Sequence, residues 1–365
     1  MKNTFGNALT LTIYGESHGD AIGAVLDGIA PGIKIDLDYI EKKLSLRRPF
    51  GKISTPRREK DPLFIDSGVF NGYTTGTPIA IRIPNENAKS ADYSATRFLA
   101  RPSHADFTAN EKYHGFEDYR GGGHFSGRIT AALVAGGAIV QKALLDNGIL
   151  IGTHIKRCAQ IDDIDFTADL NNEINSVCEK SFATLSDTQG ELMQKAILEA
   201  LDEGDSVGGI LETAVLGMPA GVGEPWFDSV ESLLSHGLFS IPAVKGVEFG
   251  AGFALADMRG SAANDPFRIN SGKITTSTNN NGGINGGITN SMPIVFRTVI
   301  KPTPTIGREQ ETVNLDTREN AVLSAKGRHD PCIVHRARAV QDAITSLVLY
   351  DLMATRFGTD WAVKQ

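Results

Sequence analysis

Two short segments of the chain alternate apolar and polar residues, which is the pattern of a strand with one buried face. They span residues 9–13 and 79–83. Between them, Asp36 can cap a helix whose apolar positions recur at helical spacing until Pro49 ends it. The sequence therefore predicts two strands with a helix between them along the chain.

Longer helices are predicted further along. Residues 128–145 are apolar nearly all round, which is typical of a helix buried in a core. Two other segments carry apolar stripes at helical spacing, formed by Leu192, Ala196, Ile197, Ala200 and Leu201, and by Ala337, Val340, Ile344, Leu347 and Val348. Long helices mixed with short strands predict an α+β fold with the buried helix between sheet layers. Because no linker, repeat or charged tail interrupts the chain, we expect a single domain over residues 1–365.

Composition narrows the class of protein. The 365 residues are 41% hydrophobic, enough for a large core, and the net charge of -7 argues against a dedicated nucleic-acid binder. The three cysteines, Cys158, Cys178 and Cys332, are widely spaced, which argues against a disulfide framework or a zinc ribbon. The N-terminus shows no apolar signal segment, and the most apolar run, residues 129–140, is shorter than a membrane span of ~18 residues. We therefore expect a cytoplasmic protein that is not membrane-bound and holds no metal.

A Gly-Glu-Ser-His-Gly motif at residues 15–19 follows the first predicted strand. Its G-x-S-x-G spacing also matches the nucleophile elbow of serine hydrolases, with Ser17 as the nucleophile. That elbow leads into a helix, whereas residues 20–26 contain Gly23 and have the pattern of another strand. His18, held between residues that let a ligand approach closely, is the better candidate. A turn histidine without a role is the simpler alternative.

Two further motifs suggest an anion site. Residues 101–106 read Arg-Pro-Ser-His-Ala-Asp and bring an arginine, His104 and a carboxylate together. Residues 118–128 place three consecutive glycines before the buried helix, where backbone N–H groups and the helix dipole favour a phosphate. No Lys-Ser/Thr follows these glycines, so the segment is not a Walker A loop. For both motifs an ordinary loop is the alternative.

Three polar segments remain. Residues 279–288 combine short amides with paired glycines, and residues 301–305 read Lys-Pro-Thr-Pro-Thr, a combination that suits a flat or phosphorylated ligand. The GxGxxG fingerprint is missing, so a flavin would be FMN rather than FAD on a Rossmann fold.

Asp330 precedes Pro331 before the last helix, and its alternative role is that of a helix N-cap. A basic run predicts either a solvated face or a site for a small polyanion, and consists of Arg47, Arg48, Lys52, Arg57, Arg58 and Lys60.

Taken together and in this order, the motifs at residues 15–19, 101–106, 120–123 and 328–332 resemble those of the chorismate synthases. Connecting sequences such as residues 204–209 match as well, so the resemblance covers nearly the whole chain. It implies a β-α-β sandwich with long central helices between antiparallel sheets, assembled as a homotetramer. It also implies a carbon–oxygen lyase of the shikimate pathway, which leads to the aromatic amino acids. That enzyme uses reduced FMN to eliminate phosphate from 5-enolpyruvylshikimate 3-phosphate by a 1,4-anti route, giving chorismate.

The resemblance also implies roles for individual residues. His18 would protonate the leaving phosphate, His104 would act near N1 and O2 of the reduced flavin, and Asp330 would relay a proton with the flavin's N5. The implied contacts to FMN are His124, Phe125, Ser126, Ala243, Gly286, Lys301, Pro302, Thr303, Pro304, Thr305 and Arg328. The implied contacts to the anionic substrate are Arg47 and Lys52. Basic side chains suit this substrate, because it carries two carboxylates and loses a phosphate.

Three positions depart from the family's pattern. Ser103 stands where glycine is expected, His124 and Phe125 replace a common Arg-Ser pair, and Lys52 stands where the bidentate arginine is frequent. Two other functions stay open at this point: a serine hydrolase acting through Ser17, and a phosphate- or nucleic-acid-binding module built on the basic run. Whether the protein reduces its own FMN with NADPH is also open.

Overall fold

An antiparallel sheet forms one outer layer of the protein in a computed structural model, which describes residues 2–55, 60–86, 97–324 and 330–363. In spatial order its strands are β1 (Thr4–Phe5), β2 (Thr10–Gly15), β3 (Ala21–Asp27), β7 (Ile79–Pro84) and β4 (Phe64–Ile65). Ile79, Ile81 and Ile83 are fully buried on one face of β7, because alternate side chains of a strand share a face. The strand predicted over residues 79–83 is confirmed, and the one predicted over residues 9–13 overlaps β2.

A second antiparallel sheet forms the opposite outer layer. In spatial order its strands are β11 (Val244–Phe249), β16 (Ile294–Ile300), β10 (Gly209–Leu216), β8 (Leu150–Cys158) and β9 (Ile161–Asp162). Thr213 in the central strand pairs with Thr153 on one side and Phe296 on the other. All three side chains are fully buried, so this sheet also turns one face to the core.

The remaining elements connect these two sheets. The helices are α1 (Leu37–Arg47), α2 (Asp106–Tyr113), α3 (Thr130–Asp146), α4 (Leu170–Glu179), α5 (Asp187–Asp202), α6 (Val230–Leu238), α7 (Gly260–Ala263) and α8 (Val334–Phe357). Four antiparallel hairpins are formed by β5 (Val69–Phe70) with β6 (Tyr73–Thr74), β12 (Phe267–Asn270) with β13 (Lys273–Thr276), β14 (Ile284–Asn285) with β15 (Ile288–Thr289), and β17 (Gln310–Asn314) with β18 (Glu319–Leu323).

The helix predicted between Asp36 and Pro49 is α1. The Asp36 side chain accepts a hydrogen bond from the backbone N–H of Tyr39 at 2.9 Å, which satisfies one of the donors left unpaired at a helix start. Ile40 and Leu44 are buried on its inner face, and the helix ends at Arg47. The prediction is confirmed in both its cap and its end.

The two longest helices, α3 and α8, lie between the sheets. Helix α3 packs on β2, β3 and β7, whereas α8 packs on β8 and β10, and the two helices contact each other. Gly137 allows this contact, since a Cβ atom there would lie 2.5 Å from the Cβ of Ala343. The predicted α+β sandwich, with long central helices between antiparallel sheets, is confirmed. By length and composition alone Gly127–Asp146 could cross a membrane, but 78% of its apolar window is buried within the fold, as in a core helix.

The amphipathic pattern predicted for α8 is wrong. Its residues are buried on every side over most of the helix, because α1, α3, α6 and the second sheet surround it. The polar residues that suggested a solvent face are bonded inside the protein. Gln341 donates to the hydroxyl of Thr213 at 2.8 Å, and the Thr153 hydroxyl donates to the carboxylate of Asp342 at 2.6 Å.

The buried face predicted for α5 is also only partly right. Leu192 and Leu201 are exposed, and the buried positions are Gly190, Met193 and Ile197. A Cβ atom at Gly190 would lie 2.5 Å from the Thr184 hydroxyl, so the segment before α5 packs closely on the helix there.

Candidate active site

A wide groove opens beside the N-terminal ends of α3 and α8. Its volume is about 1820 Å³, well above the ~300–1,000 Å³ of a typical small-molecule site. Its walls come from the loops at residues 101–106, 118–128 and 301–305, together with the start of α8. Most of the motifs singled out in the sequence therefore meet at one place.

The glycine run at residues 121–123 brings the two candidate histidines together. Gly121, Gly122 and Gly123 all have left-handed φ angles, of 60°, 83° and 53°. A Cβ at Gly121 would lie 2.2 Å from Cε1 of His18, and a Cβ at Gly122 would lie 3.1 Å from Cε1 of His104. The run is glycine because of its backbone conformation and because the two imidazole rings lie against successive residues of it.

His104 belongs to a hydrogen-bonded group within its own loop. Its Nδ1 lies 3.0 Å from Oδ1 of Asp106, and Arg101 donates to both oxygens of that carboxylate, at 2.7 and 2.8 Å. Burial would raise the pKa of Asp106, but hydrogen bonds from Arg101 and His104 hold it well below its usual range. The carboxylate is therefore ionised and accepts all of these bonds.

The position of Ser17 excludes the hydrolase elbow. The backbone N–H of Ser17 donates to the carbonyl of Gly123 at 3.0 Å, which ties the turn at residues 15–19 to the glycine run. The chain then continues into the strand β3, as predicted, and not into the helix that a nucleophile elbow requires. This turn serves to hold His18 at the groove.

His124, Phe125 and Ser126 line the groove directly after the glycine run. Nδ1 of His124 lies 2.7 Å from the carbonyl oxygen of Gly15; because a carbonyl can only accept, Nδ1 carries the hydrogen. The ring of Phe125 is 39% exposed and offers an apolar surface to a ligand. The Ser126 hydroxyl accepts from the backbone N–H of Arg128 at 3.3 Å and caps the turn that leads into α3.

The loop after β16 also lines the groove. Lys301 Nζ donates to the carbonyl and to the hydroxyl of Ser103, at 2.5 and 2.7 Å. Burial and the nearby charge of Lys245 lower the pKa of Lys301. Thr303 lines the groove, and its hydroxyl is buried and finds no hydrogen-bond partner within the described residues.

Asp330 lines the groove, but it does not cap the last helix, and that alternative is wrong. Helix α8 starts at Val334, and the residue before it is Ile333. The Asp330 carboxylate instead accepts from the backbone N–H of Thr55 and from Nη1 of Arg336, both at 2.8 Å. The aspartate therefore holds the segment before α8 against Thr55, which lies between Lys52 and Arg57 of the basic run.

The two predicted substrate contacts differ in their surroundings. Arg47 lines the groove but is only 4% exposed; its guanidinium donates to the Thr130 hydroxyl and the Gly127 carbonyl at 3.0 Å and lies 3.8 Å from the carboxylate of Asp61. Lys52 is exposed and is not one of the groove-lining residues. Arg47 is thus part of a buried network, whereas Lys52 stands at the surface.

Two predicted FMN contacts do not line the groove. Pro302 lies between residues that do, while Gly286 lies at the tip of the β14–β15 hairpin. The amides of the 279–288 segment bind within the protein, since Asn280 and Asn281 donate their backbone N–H groups to Asp265, at 2.8 Å each. Arg328, together with Arg57 and Arg58 of the basic run, lies outside the described residues.

Sequence reasoning missed several residues at the groove. Asp106, Lys245, Arg336 and Thr55 line it, although none was assigned a role. The hydroxyl of Thr55 is buried and has no partner in the part of the chain that the structure describes. Eight lysines and arginines line the groove against six aspartates and glutamates, so it is locally positive in a chain of net charge -7. This balance suits an anionic ligand.

The chain is similar to known proteins of one family. The family model for chorismate synthase matches residues 9–354. The chain is 47% identical over 360 residues to a chorismate synthase of Dehalococcoides mccartyi, covering 98% of each chain, and 42% identical to one of Thermococcus gammatolerans, covering 98% of this chain and 99% of the relative. A crystal structure of chorismate synthase aligns with a TM-score of 0.77 at 30% identity, over 98% of this chain and 94% of the other.

Proposed function

The chain belongs to the chorismate synthase family, and from that membership we propose that its groove converts 5-enolpyruvylshikimate 3-phosphate into chorismate. Enzymes of this family are lyases that remove phosphate by a 1,4-anti elimination and depend on reduced FMN. The observation that carries the proposal is the meeting of His18 and His104 on Gly121 and Gly122 inside a positively charged groove. Two proton-transferring groups and an anion site are what loss of a phosphate requires.

The groove residues fit FMN on two grounds. The hydroxyl of Thr303, a groove-lining residue, is buried without a partner in the described chain, and the ring of Phe125 leaves an apolar surface exposed at the groove. We propose that the cofactor is held by His124, Phe125, Ser126, Ala243, Lys301 and the loop through Thr305, with Gly286 and Arg328 as further contacts. When bound, reduced FMN supplies the transient electron density that protein side chains cannot.

The histidines would carry the proton chemistry. In this proposal His18 donates a proton to the phosphate as its ester bond breaks, which lowers the charge that the leaving group must bear. His104 would act near N1 and O2 of the reduced flavin. Asp330 takes part in moving the proton lost from the substrate, and Lys245, Lys301 and Arg101 add positive charge around the anions.

The direct experiment is an anaerobic assay of phosphate release from 5-enolpyruvylshikimate 3-phosphate with reduced FMN. We expect turnover with reduced FMN and none with oxidised FMN or without flavin. The variants His18→Ala and His104→Ala should each be slower by ~100- to 10,000-fold while keeping their melting temperatures. His114→Asn is the matched control, because His114 is exposed and does not line the groove. Flavin-independent turnover, or wild-type rates in both histidine variants, would contradict the proposal.

We also propose that residues 1–365 act as one catalytic domain in a cytoplasmic homotetramer. The large apolar side chains left exposed support assembly, among them Trp226, Phe227, Phe253 and Ile269, which are at least 70% exposed. Light scattering after size exclusion, at several protein concentrations, tests the tetramer. A monomer at all concentrations would contradict it without affecting the assignment of the groove.

A further inference from the structure

We infer that Asp106 is a positioning residue, which acts with Arg101 to fix the tautomer and the orientation of His104. The inference rests on the proposed function, because that function gives the imidazole of His104 a reason to be held. It concerns a residue of the groove that neither the sequence motifs nor the proposed chemistry gave a role.

The carboxylate of Asp106 is itself held from one side. Nε of Arg101 donates to Oδ2 at 2.8 Å and Nη2 donates to Oδ1 at 2.7 Å, which is the bidentate geometry that orients a carboxylate most strongly. The backbone N–H of Arg101 adds a third bond to Oδ2 at 3.0 Å. Three donors from one residue leave the carboxylate little freedom to rotate, so its remaining capacity is directed at the histidine.

The Nδ1 atom of His104 has two neighbours that require opposite tautomers. It lies 3.0 Å from Oδ1 of Asp106, which can only accept, and 3.1 Å from Nη2 of Arg101, which can only donate. The arginine nitrogen has a shorter bond to Oδ1, at 2.7 Å. A bond from a ring N–H to an ionised carboxylate is also the stronger kind. Nδ1 therefore carries the hydrogen and donates it to Asp106.

The consequence is that Nε2 is left as the atom of His104 that can accept a proton. This atom lies on the side of the ring that faces Gly122, since a Cβ at Gly122 would lie 3.5 Å from Nε2. The position lines the groove. In the other tautomer Nε2 of His104 would carry a hydrogen, and it could not accept a proton. An aspartate that orients a histidine in this way can be worth orders of magnitude in rate without touching the substrate.

The first test is a substitution that keeps the shape of the side chain and removes its charge. In Asp106→Asn the amide can donate to Nδ1, so we expect the Nε2–H tautomer to appear in ¹H–¹⁵N long-range spectra of histidine-labelled protein. The His104 signals among the eight histidines are identified from the spectrum of His104→Ala. We expect phosphate release in a single turnover to fall by ~100-fold or more, with FMN affinity little changed. Unchanged tautomer signals and an unchanged rate would overturn the inference.

Asp66→Asn is the matched control. Asp66 forms the same two-bond pair with Arg82, at 2.9 and 3.1 Å, but it contacts no histidine among the described residues and does not line the groove. Its rate and histidine spectrum should match the wild type. A second variant, Arg101→Lys, keeps the positive charge and loses the fork, so it should retain the tautomer with a smaller loss of rate. It serves as the test if Asp106→Asn proves unstable in thermal melts.

The double variant Asp106→Asn/His104→Ala separates this inference from the proposed function. If Asp106 acts through His104, the double variant is no slower than His104→Ala alone. If it is slower by the full factor of Asp106→Asn, the aspartate acts independently and the inference is wrong. A wild-type rate in His104→Ala alone would instead overturn the role of His104 in the proposed function, while the tautomer spectra still decide whether Asp106 fixes the ring.

Discussion

The ammonium group of Lys301 lies 2.7 Å from the hydroxyl oxygen of Ser103 and joins the loop that carries His104 to the loop that follows β16. Ser103 has a left-handed backbone, with φ of 59°, at the position where glycine was expected. A non-glycine residue there costs roughly 1–2 kcal/mol. The hydrogen bond from Lys301 to the Ser103 hydroxyl offsets part of this cost. A glycine at position 103 could not accept that bond.

This relationship predicts an order of stability among substitutions at Ser103. Ser103→Ala keeps the backbone strain and loses the hydroxyl bond, so its free energy of unfolding should fall by ~1 kcal/mol. Ser103→Gly loses the same bond but relieves the strain, so it should stay close to the wild type. Urea denaturation checks both values. An alanine variant as stable as the glycine variant would contradict the argument.

Ser271 supplies the control for this pair. It has a φ of 50° in the β12–β13 hairpin, and its hydroxyl has no hydrogen bond among the described residues. Ser271→Gly should therefore raise the free energy of unfolding, by up to ~1 kcal/mol, because strain is relieved and no bond is lost. If Ser271→Gly lowered the free energy of unfolding, relief of backbone strain could not explain the stability of Ser103→Gly.

The buried network around Arg47 makes a second prediction. Arg47→Ala leaves the Thr130 hydroxyl and the carboxylate of Asp61 short of a partner at a site that is almost fully buried. Breaking a buried ion pair costs ~3–5 kcal/mol, and Asp61 keeps its contact with Arg128, so we expect a loss of about 3 kcal/mol. Lys42→Ala on the same helix removes an exposed pair and should cost under ~1 kcal/mol.

Variants of the basic run also distinguish residues that bind substrate from residues that only stabilise the fold. Lys52→Ala should leave stability unchanged, because Lys52 is exposed. If Lys52 nevertheless binds substrate, its KM rises while kcat and the melting temperature stay constant. If both Arg47→Ala and Lys52→Ala leave KM unchanged, neither residue contacts the substrate, and the role of Arg47 is to hold the start of α3.

Residue types and spacing predicted the elements with a regular pattern and located most of the groove. Strand β7 and helix α1 follow directly from alternation and from the cap at Asp36. The faces of α5 and α8 could not be predicted, because the burial of polar side chains depends on partners distant in the chain. Gln341, for example, is buried against Thr213 of β10.

The hydrogen-bond pairs within the site could not be predicted from the sequence, for a similar reason. Asp106 was visible as a carboxylate five residues after Arg101, but the left-handed turn at Ser103 is what folds it back onto that arginine. The proposed cap at Asp330 followed a sound local rule and was overridden by a contact to Thr55, a residue 275 positions away. Local patterns carry no information on such contacts.

A third prediction concerns stability against pH. His154 is fully buried, with Nδ1 2.9 Å from Asp163 and Nε2 3.0 Å from Glu212. Burial lowers the pKa of His154, but the bonds to the two carboxylates outweigh it and raise that pKa above its ordinary value of 6.5. The same bonds lower the pKa values of Asp163 and Glu212 against the effect of burial.

The sign of the effect follows from these shifts. A raised histidine pKa stabilises the fold fully below pH ~6.5 and stops doing so as the pH rises through the folded pKa. The lowered carboxylate pKa values stabilise the fold above pH ~4 and cease to do so as the pH falls through their folded values. The free energy of unfolding of the wild type should thus exceed that of His154→Gln by the largest amount near pH 5–6. The difference should shrink by up to ~1.4 kcal/mol per pH unit between pH ~6.5 and the folded pKa of His154. A difference that grows with pH would contradict the assignment.

The last prediction returns to Asp330, whose carboxylate joins Thr55 and Arg336. In Asp330→Asn the amide oxygen can still accept from the Thr55 N–H, but the amide nitrogen then faces the guanidinium of Arg336, donor against donor. We expect a loss of ~1–3 kcal/mol in unfolding free energy, where a helix cap would have tolerated asparagine. The rate of a single turnover should fall as well, so this variant alone does not separate a structural role from a catalytic one.

The double variant Asp330→Asn/Arg336→Gln separates them. Glutamine can present its carbonyl oxygen to the asparagine amide, which removes the conflict between donors, and stability should return toward that of Arg336→Gln alone. The double variant still has no ionisable carboxylate at position 330. If Asp330 takes part in proton transfer, phosphate release by the double variant is therefore slower than that by Arg336→Gln alone, by ~100-fold or more, in a protein that folds and binds FMN normally. If the aspartate only fastens the start of α8 to Thr55, the rate recovers together with the stability. We expect the double variant to regain stability but not the rate of phosphate release. A recovered rate would show that Asp330 takes no part in the mechanism.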